Sequence, residues 1–259
     1  MTDTLEQYYD DSFFAGQAED SRASAAVVVP IVNEIVHPCS VLDVGCGVGG
    51  WLAEWQSNGV HDVCGVDGDY VDRARLQIGP ALFVPADLEK PFSLGRRFDL
   101  VQCLEVAEHL DGASASTLVQ SLTKHSDTVL FSAAIPGQGG AHHINEQWPS
   151  YWVELFAREG FRAFDVIRPL TWNDKRVRVW YRQNMLLLSR VREFTVPPKV
   201  LDLVHPGLWA HHTPTHLWVD HKPTLRQIAG YLPDAIGAAA HSRLNRVRGR
   251  RPRRSPNRI

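Results

Sequence analysis

Val41-Leu42-Asp43-Val44-Gly45-Cys46-Gly47-Val48-Gly49-Gly50-Trp51-Leu52-Ala53-Glu54-Trp55 decides the fold. A short apolar strand runs into a cluster of glycines, and the cluster opens a helix that stops at Asn58-Gly59. Glycines suit such a turn because the chain bends sharply and its backbone must come close to a ligand. Outward from here the alternation continues. Residues 63–66 form a second strand ending at Asp67, and 81–84 a third ending near Asp87. Residues 98–104 are a fourth and 128–131 a fifth, after a helix over 113–124. A helix over 149–158 closes at Gly160, and 161–167 and 184–189 supply two more strands. Strands alternating with helices predict an α/β fold: a doubly wound, mostly parallel, seven-stranded sheet. Residues 1–40 read as an entry segment or lid, 41–190 as the ligand-binding domain, and 191–259 as an appendage.

Composition narrows the class. A chain of 259 residues, 44% hydrophobic and 22% charged, can bury a core without disulfides or a structural metal. Its apolar runs, such as 25–29 and 185–188, fall far short of a bilayer span, and its first residues lack a signal-peptide pattern. Cys39, Cys46, Cys64 and Cys103 show no Cys-x-x-Cys spacing and read as reduced thiols in a cytoplasmic protein. The net charge of −2 conceals eight Arg after residue 242. The remainder is strongly acidic, so no nucleic-acid partner is expected.

Gly45, Gly47 and Gly50 satisfy the spacing G-x-G-x-x-G, which alone points only to a nucleotide. The acids at the strand ends say more. Asp43 is placed to address an ammonium group, and Asp67 to hold both hydroxyls of a ribose. Asp87 can accept from an adenine amino group while the backbone at Leu88 donates back. Strand ends on one edge of a parallel sheet meet at one crevice, so the three acids can hold one molecule. An amino-acid head, a ribose and an adenine together make S-adenosylmethionine. The rival on the same sheet, a short-chain dehydrogenase, needs a Tyr with a Lys four residues on, and no Tyr here has one.

At this point the sequence resembles the class I S-adenosylmethionine-dependent methyltransferases, whose fold is Rossmann-like. Residues 41–50 resemble their first motif, Gly65-Val66-Asp67-Gly68-Asp69 the second and Ala86-Asp87-Leu88 the third. The resemblance spans about residues 24–190. It implies a cofactor site of Asp43, Gly45, Cys46, Gly47, Asp67, Gly68, Asp87, Leu88 and Leu104.

The fourth strand runs into Glu105-Val106-Ala107-Glu108-His109-Leu110. This is similar to the Glu-x-x-Glu-His pattern of ubiquinone-biosynthesis O-methyltransferases, where it supplies ligands to a divalent cation beside the acceptor oxygen. By that likeness Glu105, Glu108 and His109 are candidate ligands for Mg²⁺ or another divalent ion, which would lower the pKa of a hydroxyl. Relatives without metal also carry the motif, so His109 as a base stays open beside the metal. After the fifth strand comes Gly137-Gln138-Gly139-Gly140-Ala141-His142-His143-Ile144-Asn145-Glu146. Either His142 or His143 is a candidate base or further ligand over the same crevice. With Tyr151-Trp152 and Leu155-Phe156, this segment resembles methyltransferases of sugar and surface-glycan pathways.

The expected reaction is methyl transfer to a hydroxyl of a small molecule or sugar. Glu108, His109, His142 and His143 carry the chemistry, since an oxygen nucleophile needs deprotonation. N- or C-methylation, or cofactor binding without catalysis, are the alternatives. Trp148 and Trp172, in polar loops, are core residues or stacking surfaces for the acceptor. Five His between 205 and 221 are joined by no Cys and no tight carboxylate grouping, so a metal site there is not expected. The apolar stripe Leu232, Ile236, Ala240, Leu244 and Val247 precedes the Arg-rich end, which either packs and trails off or touches an anionic membrane weakly. Oligomeric state is not legible.

Overall fold

The computed structural model of the protein describes residues 11–194 and 201–211. Contacts divide the chain into Met1–Ala210 and His211–Ile259, and all side-chain detail below belongs to the first unit. Tyr8 and Tyr9, the apolar stripe, the Arg-rich tail and the histidines from 212 onward lie outside the described residues.

The chain runs α1 (Asp11–Val36), β1 (Ser40–Val44), α2 (Gly50–Ser57), β2 (Asp62–Asp67), β3 (Phe83–Pro85), β4 (Leu100–Leu104), α3 (Ala115–His125) and β5 (Thr128–Ser132). It continues through α4 (Pro149–Arg158), β6 (Arg162–Phe164), α5 (Arg168–Thr171), α6 (Val179–Asn184), β7 (Leu186–Ser189) and α7 (Pro206–His211). The seven strands make one sheet in the order β3-β2-β1-β4-β5-β7-β6. All neighbours pair parallel except that β7 runs antiparallel to β5 and β6. The doubly wound sheet expected from the sequence is the one observed.

Why these segments adopt these states follows from burial. In α1, Ala25, Val28, Val29, Val32 and Val36 are buried at helical spacing, and Pro30 falls on the exposed face. The strands β1, β4, β5 and β7 are buried along nearly their whole length, as strands covered on both faces must be. One core lies between the sheet and α1 and α2, through Val32, Trp51, Leu52 and Trp55. The other lies under α3 and α4, through Leu118, Leu122, Trp152 and Phe156. At the foot of the sheet the Asp99 carboxylate accepts from the amides of Cys39 and Ser40, fixing the register of β4 against β1.

Strand order reverses between β1 and β4. The chain leaves β1 towards β2 and β3, then returns to build β4 and β5 on the other side. Loops from adjacent strands diverge at such a switch point and leave a crevice at the carboxyl ends. The glycine turn after β1 and the Glu105–His109 stretch after β4 flank it.

Candidate active site

Gly45 shows why the turn after β1 is built of glycine. Its φ is +81°, its N–H donates to the Val66 carbonyl, and a Cβ there would lie 2.2 Å from a Val106 methyl. Gly45→Ala therefore meets both left-handed strain and a clash with the β4 loop. Together these are worth about 2–4 kcal/mol. The melting temperature should fall by roughly 5 °C or more. Scanning calorimetry checks this, and an unchanged midpoint would show that Val106 yields freely.

Two acids line this side of the crevice. Asp43 is only 3% exposed and sits level with Gln102 across the β1–β4 pair. Trp55 on α2 donates its indole N–H to Gln102 Oε1 at 2.8 Å, which holds the amide beside Asp43. Gln102 Nε2 makes no hydrogen bond of ordinary geometry but still lies close enough to the carboxylate to favour its charged form. Burial pushes the Asp43 pKa up to about 7, the Gln102 amide opposes this, and the Asp67 charge adds to it. Asp67, at the end of β2, accepts from the amides of Gly47 (2.6 Å) and Gly68 (2.7 Å) and from the Tyr70 hydroxyl (2.6 Å). Burial raises its pKa too, against those three bonds.

The remaining cofactor candidates differ in setting. Cys46 is buried and its thiol pKa is pushed up by desolvation. Leu88 and Leu104 are buried among the core side chains. Asp87 is exposed and paired with Lys90 at 2.8 Å, which lowers its pKa.

The other wall holds the acid–histidine groups. Residues Ala107–His109 form a 3-10 turn directly after β4. The loop after β5 docks on it through the backbone: the amides of Ile144 and Asn145 both donate to the Glu108 carbonyl, at 2.9 and 3.0 Å. Asn145 Nδ2 adds a bond to the Ala107 carbonyl at 3.3 Å. This docking brings the His109 and His143 rings edge to face at 4.9 Å. Among the described residues, Glu108, His109 and His143 offer ligand atoms that all lie within 4.8 Å of one another.

Glu105 does not join that trio. It has a left-handed φ of 56°, a costly conformation for a residue with a side chain. Its carboxylate accepts from Asn184 Nδ2 at 3.0 Å and from Gln138 Nε2 at 2.8 Å. It still acts on Glu108 through its charge. Glu108 is 0% exposed, and its carboxylate oxygens make no hydrogen bond of ordinary geometry, although its own amide, the Ala134 backbone and Glu105 lie close enough to act on it. Desolvation first, then Glu105, drive its pKa well above the usual carboxylate range. His109 is driven the other way, to about 4, by desolvation and then by the neighbouring His143. Its Nδ1 is buried and unpartnered as well.

Glu146, Asn184 and Gln138 were not among the residues singled out from the sequence. Glu146 accepts from the amides of Gly137 and Gly139 and sits 2.9 Å from His143 Nδ1. With Nδ1 turned to this carboxylate, Nε2 is the ring nitrogen left to meet a ligand. The His-x-x-Glu spacing was a usable signal for this pair. Asn184 and Gln138 had none. His142 is half-buried with φ 56° and lies outside the ligand trio. Trp172 is half-buried and packs on the buried His205 at 4.3 Å between ring centroids. Trp148 stays 37% exposed.

Comparison with known proteins agrees with the fold. The sugar N-methyltransferase KedS8 from Streptoalloteichus superposes with a TM-score of 0.56 at 21% identity, over 74% of this chain and 96% of that one. The methyltransferase domain of a bacterial Hen1 gives 0.49 at 19% identity, over 64% and 97%. Human N-acetylserotonin methyltransferase with bound S-adenosylmethionine gives 0.49 at 15%, over 69% and 55%. No protein of curated function matches the sequence significantly. A family model described as a methyltransferase domain matches residues 14–173, more than half of the chain. With the glycine turn and the strand-end acids at one switch point, the match places this chain in the class I S-adenosylmethionine-dependent methyltransferase family.

Proposed function

We propose that the chain methylates a hydroxyl of a small-molecule or sugar acceptor, with a divalent cation held by Glu108, His109 and His143. The observation that carries this reading is the buried, poorly partnered donor set at the end of β4. A carboxylate without a hydrogen bond of ordinary geometry and a neutral imidazole with an orphaned nitrogen are costly to bury without a ligand. Their donor chemistry fits a cation, and the mixture of two imidazoles with one carboxylate suits Mn²⁺ better than Mg²⁺. Such an ion would supply Lewis acidity that makes the acceptor hydroxyl easier to deprotonate.

The chain's own residues do the rest. Asp43, Asp67 and the glycine turn hold the cofactor at the switch point and direct its methyl towards the β4 loop. Glu146 fixes the His143 ring so that Nε2 faces away from the Glu146 carboxylate. Glu105, tied to Asn184 and Gln138, has its own pKa raised by burial against those bonds, and any charge on it opposes the ionisation of Glu108. In the transfer the carbon–sulfur bond of the sulfonium breaks as the carbon–oxygen bond forms. The sulfur leaves neutral, and the hydroxyl proton passes to the Glu108 carboxylate oxygen that would not be holding the cation, since one oxygen suffices as ligand.

Chelation tests the reading. With candidate sugars and phenols as acceptors and a labelled methyl donor, chelator should abolish turnover without changing S-adenosylhomocysteine affinity, and Mn²⁺ should restore it. Activity that survives chelator but disappears in His143→Ala would assign His143 as a base acting alone. Label recovered on nitrogen or carbon would overturn O-methylation.

A further inference from the structure

The acid assigned to the ribose is already bonded to a side chain. Tyr70, three residues after Asp67, donates its hydroxyl to Asp67 Oδ1 at 2.6 Å. The same oxygen accepts the Gly68 amide, and Oδ2 accepts the Gly47 amide. Gly68 makes this reach possible. A Cβ at that position would stand 2.1 Å from the Tyr70 ring, so the ring lies directly over the bare backbone after the acid. Tyr70 is nevertheless 49% exposed, which is high for so large a side chain beside a buried carboxylate.

A carboxylate offers about four lone-pair positions. Three are taken here, and two neighbouring ribose hydroxyls need two. The amides of Gly47 and Gly68 belong to the turns that define the site and cannot leave. The phenol, on a rotatable and half-exposed side chain, can. We propose that Tyr70 is a latch on Asp67: its hydroxyl holds the acid in the free enzyme, is displaced as the cofactor's ribose docks, and re-engages as the product departs. The device has a physical use. Without cofactor a buried carboxylate would lack a partner for part of its charge, and the phenol provides one. When S-adenosylhomocysteine must leave, the same hydroxyl competes for Asp67 and shortens the product's residence. This inference rests on Asp67 being the ribose acceptor.

Tyr70→Phe keeps the ring and removes the competing hydroxyl. Calorimetry should show S-adenosylhomocysteine binding about ten- to a hundredfold more tightly to the variant, the scale of one displaced hydrogen bond to a charged group. Stopped-flow should place that gain in slower dissociation. In the unmodified enzyme labelled with ¹³Cζ-tyrosine, the Tyr70 resonance, identified by its loss in the variant, should shift when S-adenosylhomocysteine is added. Equal or weaker binding by Tyr70→Phe, with Asp67→Asn still weakening binding, overturns the latch alone. If Asp67→Asn binds as well as the unmodified protein, the ribose assignment fails and the latch with it.

Discussion

Replacing Glu108 by Gln should cut methyl transfer at least about 100-fold while making the metal-free protein more stable. The two effects have one cause. Glu108 is fully buried, its oxygens lack hydrogen bonds of ordinary geometry, and any charge on Glu105 beside it is a like charge. Ionising it is unfavourable unless a cation arrives, so the free enzyme holds a strained, proton-retaining acid. Gln keeps the shape and removes the demand for charge. The melting temperature without metal should rise by a few degrees, and the further rise that added Mn²⁺ should give the unmodified protein should be absent from the variant. S-adenosylhomocysteine affinity should stay within about threefold, because Glu108 is separate from Asp43 and Asp67. Thermal scans with and without Mn²⁺, alongside turnover, decide the matter. Retained turnover in Glu108→Gln would remove this acid from the chemistry.

What could be read in advance was what is local in the chain. The glycine turn, Asp43, Asp67 and the α4 helix with Pro149 at its start and Gly160 beyond its end are each specified within a few residues. The direction of β7 was not legible, because a fully buried strand such as Leu186–Ser189 is apolar on both faces whichever way it runs. Helix α6 was hidden for a similar reason. Asn184 looks like the first residue of a strand but ends the helix, and there its amide reaches Glu105, 79 positions earlier. Glu105 was picked as a ligand by its place in a motif. Only the fold reveals that Asn184 and Gln138 occupy it and that His143, from the next loop, completes the trio with Glu108 and His109. Spacing identified which residue types gather at the crevice. Long-range packing decided which of them face one another.

Cofactor affinity should rise with pH up to neutrality and then level off, and Asp43 should be the reason. In the free protein its pKa is about 7, against 3.8 for an ordinary aspartate, mainly because it is buried. Below pH 7 the native carboxyl keeps its proton while the unfolded chain releases it, so this group stabilises the free fold most in acid. The contribution, roughly 4 kcal/mol at full extent, is lost as pH rises towards 7. His109 works against it. Held near 4, that ring stays neutral in the native state while the unfolded one takes up a proton, so stability falls as pH drops from about 6.5 to 4. To pair with the ammonium of the cofactor, Asp43 must give up its proton. Binding at pH 6 should therefore release close to one proton, read from calorimetry in buffers of different ionisation enthalpy. The logarithm of the association constant should climb by up to about one per pH unit below 7. Asp43→Asn should weaken binding by about 30-fold or more, since it leaves a buried ammonium without its counter-charge. The same variant should also bind with no pH dependence between 5.5 and 7.5. A pH-dependent affinity that persists in Asp43→Asn would assign the titration to another group, and with it the seat of the cofactor's ammonium.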